Sequence, residues 1–107
     1  MVPEVRDMYA GIFKALAHPK RIKIVELLER HGKMCVCEIV AQSQIEQPSV
    51  SKHLNILKNA GIIESEKQGL NVKCWLKTPE VSKLLAEVRE ILKKDLESRQ
   101  AVFSKKQ

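Results

Sequence analysis

Gln47-Pro48-Ser49-Val50-Ser51-Lys52-His53-Leu54-Asn55-Ile56-Leu57 is the stretch whose reading decides the fold. Proline is tolerated in the first turn of a helix, where its missing N–H has no partner to lose. Val50, Leu54 and Leu57 recur at i, i+4 and i+7, so they share a face turned to a core. Gln47, Ser49, Lys52, Asn55 and Lys58 fall on the opposite face. These residue types would suit base-edge contacts at the head of a helix. Gln47 can hydrogen-bond an adenine edge, and Lys52 can reach guanine acceptors or phosphate. Ser49 and Ser51 are short donors suited to close approach, and His53 can donate to a phosphate. The bland alternative is a solvated polar face, with His53 as a packing residue beside Leu54.

The segments around this helix supply its context. Upstream, a short helix is expected from about Val36 to Gln42, with Ser43-Gln44-Ile45-Glu46 as the turn. A short helix, a tight turn and a second helix make a helix-turn-helix, whose second helix enters the major groove. A first helix is expected over about 4–17, with Met8, Ile12, Phe13 and Leu16 as its apolar stripe. His18-Pro19 breaks it, and Pro19 opens a second helix running to about Arg30. His31-Gly32 closes that one. Downstream, Ile62–Lys67 and Val72–Leu76 are β-leaning runs around Gln68-Gly69-Leu70-Asn71, which reads as a hairpin. As a wing, it would bring Lys67, Gln68, Asn71 and Lys73 near the DNA backbone or minor groove. Thr78 can cap a last helix with Pro79 at its first position. Val81, Leu84, Leu85, Val88, Ile91 and Leu92 form its wide apolar stripe, and fraying is expected from about residue 97. The fold class is mainly α with a small β-hairpin, a single winged helix-turn-helix domain over 1–107.

The bulk numbers agree. The chain has 107 residues, enough for one small domain that would gain from dimerisation. Its net charge of +6 suits a polyanionic partner. No apolar run approaches the roughly 20 residues of a membrane span, so no membrane partner is expected. Met1-Val2-Pro3-Glu4-Val5-Arg6-Asp7 lacks a secretory pattern, and a cytoplasmic location is expected. Three scattered histidines, no phosphate-binding glycine loop and no nucleophile–base signature argue against an enzyme.

The second informative stretch is Cys35-Val36-Cys37. Three cysteines without a secretion signal point to metal or redox chemistry rather than a disulfide scaffold. Thiolates are soft ligands that select soft ions. Inside a helix, residues i and i+2 point about 200° apart and cannot share an ion. At a helix start they can, because the first residue is not yet helical. Free amides and the helix dipole there favour the thiolate. Lys33 adds positive charge nearby, and Glu38 partly opposes it. The competing reading is two ordinary cysteines, one buried and one half exposed.

Taken together, these residues resemble the ArsR/SmtB family of metal- and metalloid-responsive winged-helix repressors over about residues 7–95. The resemblance is carried by Ala15-Leu16-Ala17-His18-Pro19-Lys20-Arg21, Ile24-Val25-Glu26-Leu27-Leu28, the reading helix, and Ala60-Gly61-Ile62-Ile63. It implies a homodimer through the first and last helices, for which Met8, Ile12, Leu84, Leu85, Val88, Ile91 and Leu92 are the expected contacts. It also implies binding to double-stranded operator DNA, with release on binding of an inducer and no cofactor needed in the DNA-bound state.

Lys33-Met34-Cys35-Val36-Cys37-Glu38-Ile39 is similar to the cysteine box of the arsenic-, antimony- and cadmium-type members. Cys35 and Cys37 are the expected ligands, and As(III) or Sb(III) the expected inducer. Members that take a third thiolate from the same helix carry it three residues on, where this chain has Val40. Cys74, in the second hairpin strand, is expected in the core rather than as a ligand. The last helix has no histidine for the family's zinc site, and the N-terminal arm has no cysteine for the cadmium/lead type. His18 is expected to cap or pack, and His31 to end a helix. Three rival functions stay open: a repressor of the same fold sensing Cd, Pb or Zn; a redox or persulfide sensor of the same fold, ranked lower because cysteines two apart close a strained disulfide ring; and a constitutive DNA-binding module with inert cysteines.

Overall fold

The computed structural model describes residues 4–105, with side chains up to residue 100. In chain order the elements are α1 (Val5–Leu16), α2 (Pro19–His31), β1 (Met34–Cys35), α3 (Val36–Ser43), α4 (Gln47–Asn59), β2 (Ile63–Gln68), β3 (Asn71–Leu76) and α5 (Glu80–Lys105). Each helix boundary has a local cause. His18 keeps an extended backbone before Pro19, and its Nδ1 accepts from the Lys20 amide at 3.1 Å. Gly32 takes a positive φ of 78°, and its N–H donates to the Leu28 carbonyl at 2.8 Å, which closes α2. Gln44 does the same for α3 from a left-handed φ of 60°. The turn to α4 is then held by the Ser43 hydroxyl, which accepts from the Ile45 amide at 3.2 Å. Lys23 reaches from α2 to donate to the Ser43 carbonyl at 2.8 Å, a cation at a helix C-terminus.

The core lies where α2, α3, α4 and the sheet meet. Ile24, Val25, Leu28, Met34, Ile39, Val50 and Leu57 are all buried there. Val50, Leu54 and Leu57 face inward, as the spacing of the reading helix requires. The hairpin forms in register with Gln68 opposite Asn71, and β2 and β3 run antiparallel. The sheet has three strands, in the order β1-β3-β2, because Met34 and Cys35 add a short strand outside β3. A two-residue strand has no period to detect in a sequence, so the hairpin expectation falls short by this one strand.

α5 begins at Glu80, one residue after Pro79, and its helical backbone passes residue 97. Leu85 is its last buried residue. From 86 to 100 every side chain is exposed, including Val88, Ile91, Leu92 and Leu96. Arg89 ties the helix to α2 through Glu29 at 3.2 Å and Glu26 at 3.5 Å. No helix among the described residues is long and apolar enough to cross a membrane.

Candidate DNA-reading surface and thiol site

The reading helix α4 presents Gln47, Ser51, Lys52 and Asn55 to solvent, with Ser49 half-buried beside them. Lys67 and Asn71 are exposed on the hairpin, and Asn71 shares a groove with Gln47 and Ser51. His53 does not join it. Its side chain is 7% exposed, its ring centroid lies 4.6 Å from that of His18, and its Nδ1 faces Arg21 Nη1 at 3.3 Å. A guanidinium has only donors, so Nδ1 accepts and the ring proton sits on Nε2. Burial holds the His53 pKa below its usual range, and the charges of His18 and Arg21 push the same way. The ring is set inward because position 53 follows the buried face of Val50, Leu54 and Leu57.

Arg21 organises this corner. Its Nε donates to the Ala15 carbonyl at 2.6 Å and its Nη2 to the Lys14 carbonyl at 3.4 Å, so it caps the end of α1 while meeting α4. The sequence gives no sign of that role beyond an arginine after the His18-Pro19 break.

The thiol box lies at the joint between β1 and α3. Cys35 is both the last residue of β1 and the N-cap of α3, with an extended backbone at φ −78° and ψ 157°. Cys37 is inside the first turn. The change of backbone between them brings the two sulfurs together, and Cys35 and Cys37 form a disulfide with their Cα atoms 5.4 Å apart. The ring expected to be disfavoured therefore closes, for the same reason that a shared ion was expected to be feasible. Cys35 is buried and Cys37 exposed, so solvent reaches the pair from one side.

Glu38 anchors the box. Its carboxylate accepts from the Cys35 amide at 3.2 Å and pairs with Lys73 Nζ at 3.5 Å, while the Cys35 sulfur faces the Glu38 amide in the reciprocal half of a capping box. The hydrogen bond from the Cys35 amide holds the Glu38 carboxyl below its ordinary pKa, with the Lys73 charge acting in the same sense. Cys35 and Lys73 are also strand partners. Lys73 is therefore half-buried and bridged to the box. Lys33 has a partner of its own on β3. Its ammonium stacks over Trp75 at 4.6 Å.

Cys74 is buried in β3 opposite Met34, and burial pushes its thiol pKa up. It is a neutral core thiol, as expected. Among the described residues no three His, Cys, Asp or Glu side chains converge as a metal site. Cys35 and Cys37 nonetheless border a groove of about 460 Å³. Gln47 and Ser51 of the reading helix and Leu70, Asn71 and Val72 of the hairpin line its other walls. The thiols and the DNA-reading elements thus share one concavity.

The expected dimer contacts divide in two. Leu85 is buried within its own chain, and Ile12 and Leu84 pack half-buried against the same core. Met8, Val88, Ile91 and Leu92 are exposed, and so are Phe13 of the α1 stripe and Val5, Tyr9 and Leu96, which the sequence reading did not select.

A core of α2, α3 and the reading helix α4 with a β-hairpin beside it defines a winged helix-turn-helix protein. The profile of the bacterial regulatory proteins of the arsR family matches residues 18–65, from the His18 cap through the start of β2. The chain is 47% identical over 66 residues to an uncharacterized HTH-type transcriptional regulator of Methanocaldococcus jannaschii, covering 62% of this chain and 74% of that one. It is 38% identical over 84 residues to the arsenical resistance operon repressor of Bacillus subtilis, covering 78% and 80%. A solution structure of a homodimeric winged helix-turn-helix DNA-binding domain from Mycobacterium bovis superposes with a TM-score of 0.79 at 28% identity, covering 87% of this chain and 85% of that one. The chain belongs to the arsR family, and is a transcriptional regulator of the non-catalytic, DNA-binding kind.

Proposed function

We propose that this protein is a cytoplasmic, homodimeric repressor that binds operator DNA and lets go when a thiophilic metalloid, As(III) or Sb(III), binds at Cys35 and Cys37. The carrying observation is the position of the thiol pair. It forms the N-terminal cap of α3, in one groove with Gln47 and Ser51 of α4 and with the hairpin tip. An ion that draws both sulfurs to itself must rebuild that cap, and α3 supports the reading helix. Likeness to an arsenical resistance operon repressor supports the same signal. Dimerisation is supported by the exposed apolar residues of α1 and α5 and by the homodimeric relative. Two reading helices spaced one turn of DNA apart, ~34 Å, would fit a palindromic site. Gln47, Ser49, Ser51, Lys52 and Asn55 are the proposed contacts from α4, and Lys67 and Asn71 those from the wing.

The test is a gel-shift inducer panel with DNA from upstream of the gene, run on the wild type and on Cys35→Ser/Cys37→Ser. Release of the wild type by arsenite or antimonite, and retention of the double variant, is the expected result. A double variant that arsenite still releases would sink the assignment.

The Cys35–Cys37 disulfide favours a second reading, in which oxidation of the dithiol is the signal. That reading predicts a loss of two mass units per chain on mild oxidation, with DNA affinity changing in step and no need of metalloid.

A further inference from the structure

Leu70 stands at the apex of the hairpin with 100% of its surface exposed. The turn that carries it is tight. Gln68 and Asn71 are strand partners, so only Gly69 and Leu70 lie between them. Gly69 has a φ of 65°, whereas Leu70 keeps a negative φ, Gln44 being the one non-glycine residue with a positive φ among the described residues. A positive φ at the first central position alone is the type II′ pattern, which matches the twist of the flanking strands. Leu70 is therefore held out on a fixed mount rather than on a slack loop.

The residues around it select the partner. From Lys67 to Val72 the sequence holds no carboxylate, and the nearest, Glu66, stands opposite Lys73 in the sheet. Lys67, Gln68 and Asn71 are all exposed beside Leu70. One apolar side chain ringed by a cation and two amides is too little for a stable protein interface, which buries about 800 Å² on each partner. It does suit nucleic acid, with the cation on phosphate, the amides on base edges and the apolar group against the base stack. Asn71 borders one groove with Gln47 and Ser51 at the head of α4. With that head in the major groove of DNA, the apex falls towards the adjacent minor groove. The minor groove is only about 6 Å wide. Two strands about 4.8 Å apart are too broad to enter it with their side chains, but the single side chain at the apex can.

Resting on the reading of this chain as an operator-binding regulator, we propose that Leu70 is a wedge that enters the minor groove, parts one base step and bends the operator. The step it selects is pyrimidine–purine, TA or CA/TG, because those steps unstack most readily. Lys67 holds a flanking phosphate while the wedge is in place. The preference comes from the deformability of the DNA and not from a base hydrogen bond, so it adds specificity at a position that α4 does not touch.

The experiment uses the full-length protein and a duplex from upstream of the gene, trimmed to its hydroxyl-radical footprint. 2-Aminopurine replaces, one at a time, the adenines in the protected minor-groove segments. Its fluorescence reports unstacking, and energy transfer between end labels reports the bend. The wild type is expected to raise the fluorescence at a pyrimidine–purine step and to bend the duplex by roughly 20° or more. Leu70→Ser is expected to lose both and to bind about tenfold more weakly. Leu70→Lys puts a phosphate-seeking charge in place of the wedge, and is expected to recover affinity without the fluorescence rise. Changing the parted step to GG should weaken the wild type about tenfold and leave Leu70→Ser within about twofold. No rise at any step, or a rise that Leu70→Ser retains, overturns the wedge and leaves operator binding standing. Failure of the wild type to footprint this duplex or any duplex selected from random sequence overturns operator binding and the wedge together.

Discussion

Ile91 and Leu92 sit in the exposed part of α5 with 66% and 57% of their surface open to solvent. Replacing both with alanine removes apolar area without harming helix propensity. Fully burying such a side chain contributes about 1.5–3 kcal/mol. Three-fifths of it is still available, so each residue stands to gain about 1–2 kcal/mol on being covered. A two-fold interface uses every residue twice, which gives about 4–8 kcal/mol as an upper bound for the pair. Halving this for incomplete burial leaves about 2–4 kcal/mol, or roughly 30- to 1000-fold in the dimer dissociation constant. Sedimentation equilibrium over a concentration series measures that constant, and far-UV circular dichroism checks that the helix survives. Operator affinity should fall with it, because each reading helix alone makes few contacts. A helical variant that dimerises like the wild type would refute the argument that this stripe is covered by a second copy.

Lys52→Ala should weaken DNA binding about equally on all sequences and lower the slope of log affinity against log salt by about one, as expected for a lost phosphate contact. A slope that stays put would remove Lys52 from the phosphate interface. For Lys73→Met, stability should change by no more than about 1 kcal/mol, since the bridge to Glu38 is partly exposed. Inducer release of DNA should nevertheless be blunted, and a variant that responds like the wild type in a titrated gel shift would break the proposed link from box to wing. His53 gives a pH prediction. Its unfolded pKa is near 6.5 and its folded value is lower, so below about pH 6.5 the unfolded state binds more protons. The stability due to neutral His53 is present above that pH and is lost as pH falls towards the folded value. His53→Gln should therefore flatten the fall in Tm between about pH 7.5 and 5.5, and equal falls in both proteins would exonerate the histidine.

The elements that were legible in the sequence are those with a period or a stop. Val50, Leu54 and Leu57 announce α4, and His18-Pro19 and Gly32 bracket α2. The hairpin was legible from two β-leaning runs around a glycine. What could not be read depends on tertiary partners. β1 exists only because β3 is there to receive Met34 and Cys35. His53 lies next to exposed Lys52 in sequence, and only the approach of Arg21 and His18 from other helices shows that it turns inward. Leu85 and Ile91 belong to one stripe by spacing. The body of the domain covers the first and leaves the second open, a division fixed by where α5 leaves the core.

The position of Cys35 also bears on how small a signal can work. Cys35 ends β1, caps α3, pairs with Lys73 across the sheet and is bonded to Cys37. Its capping partner Glu38 is bridged to the same Lys73, so cap, strand and wing share one residue pair. Loss of a helix cap costs about 0.5–2 kcal/mol. The coupling free energy of a typical allosteric ligand is about 1–3 kcal/mol. The two ranges overlap. A ligand that draws on both sulfurs therefore has no need to unfold α3, because undoing its first turn supplies most of the differential required. The same arithmetic gives a dimer twice the effect when both sites fill, about 1–4 kcal/mol, without any change in the buried core.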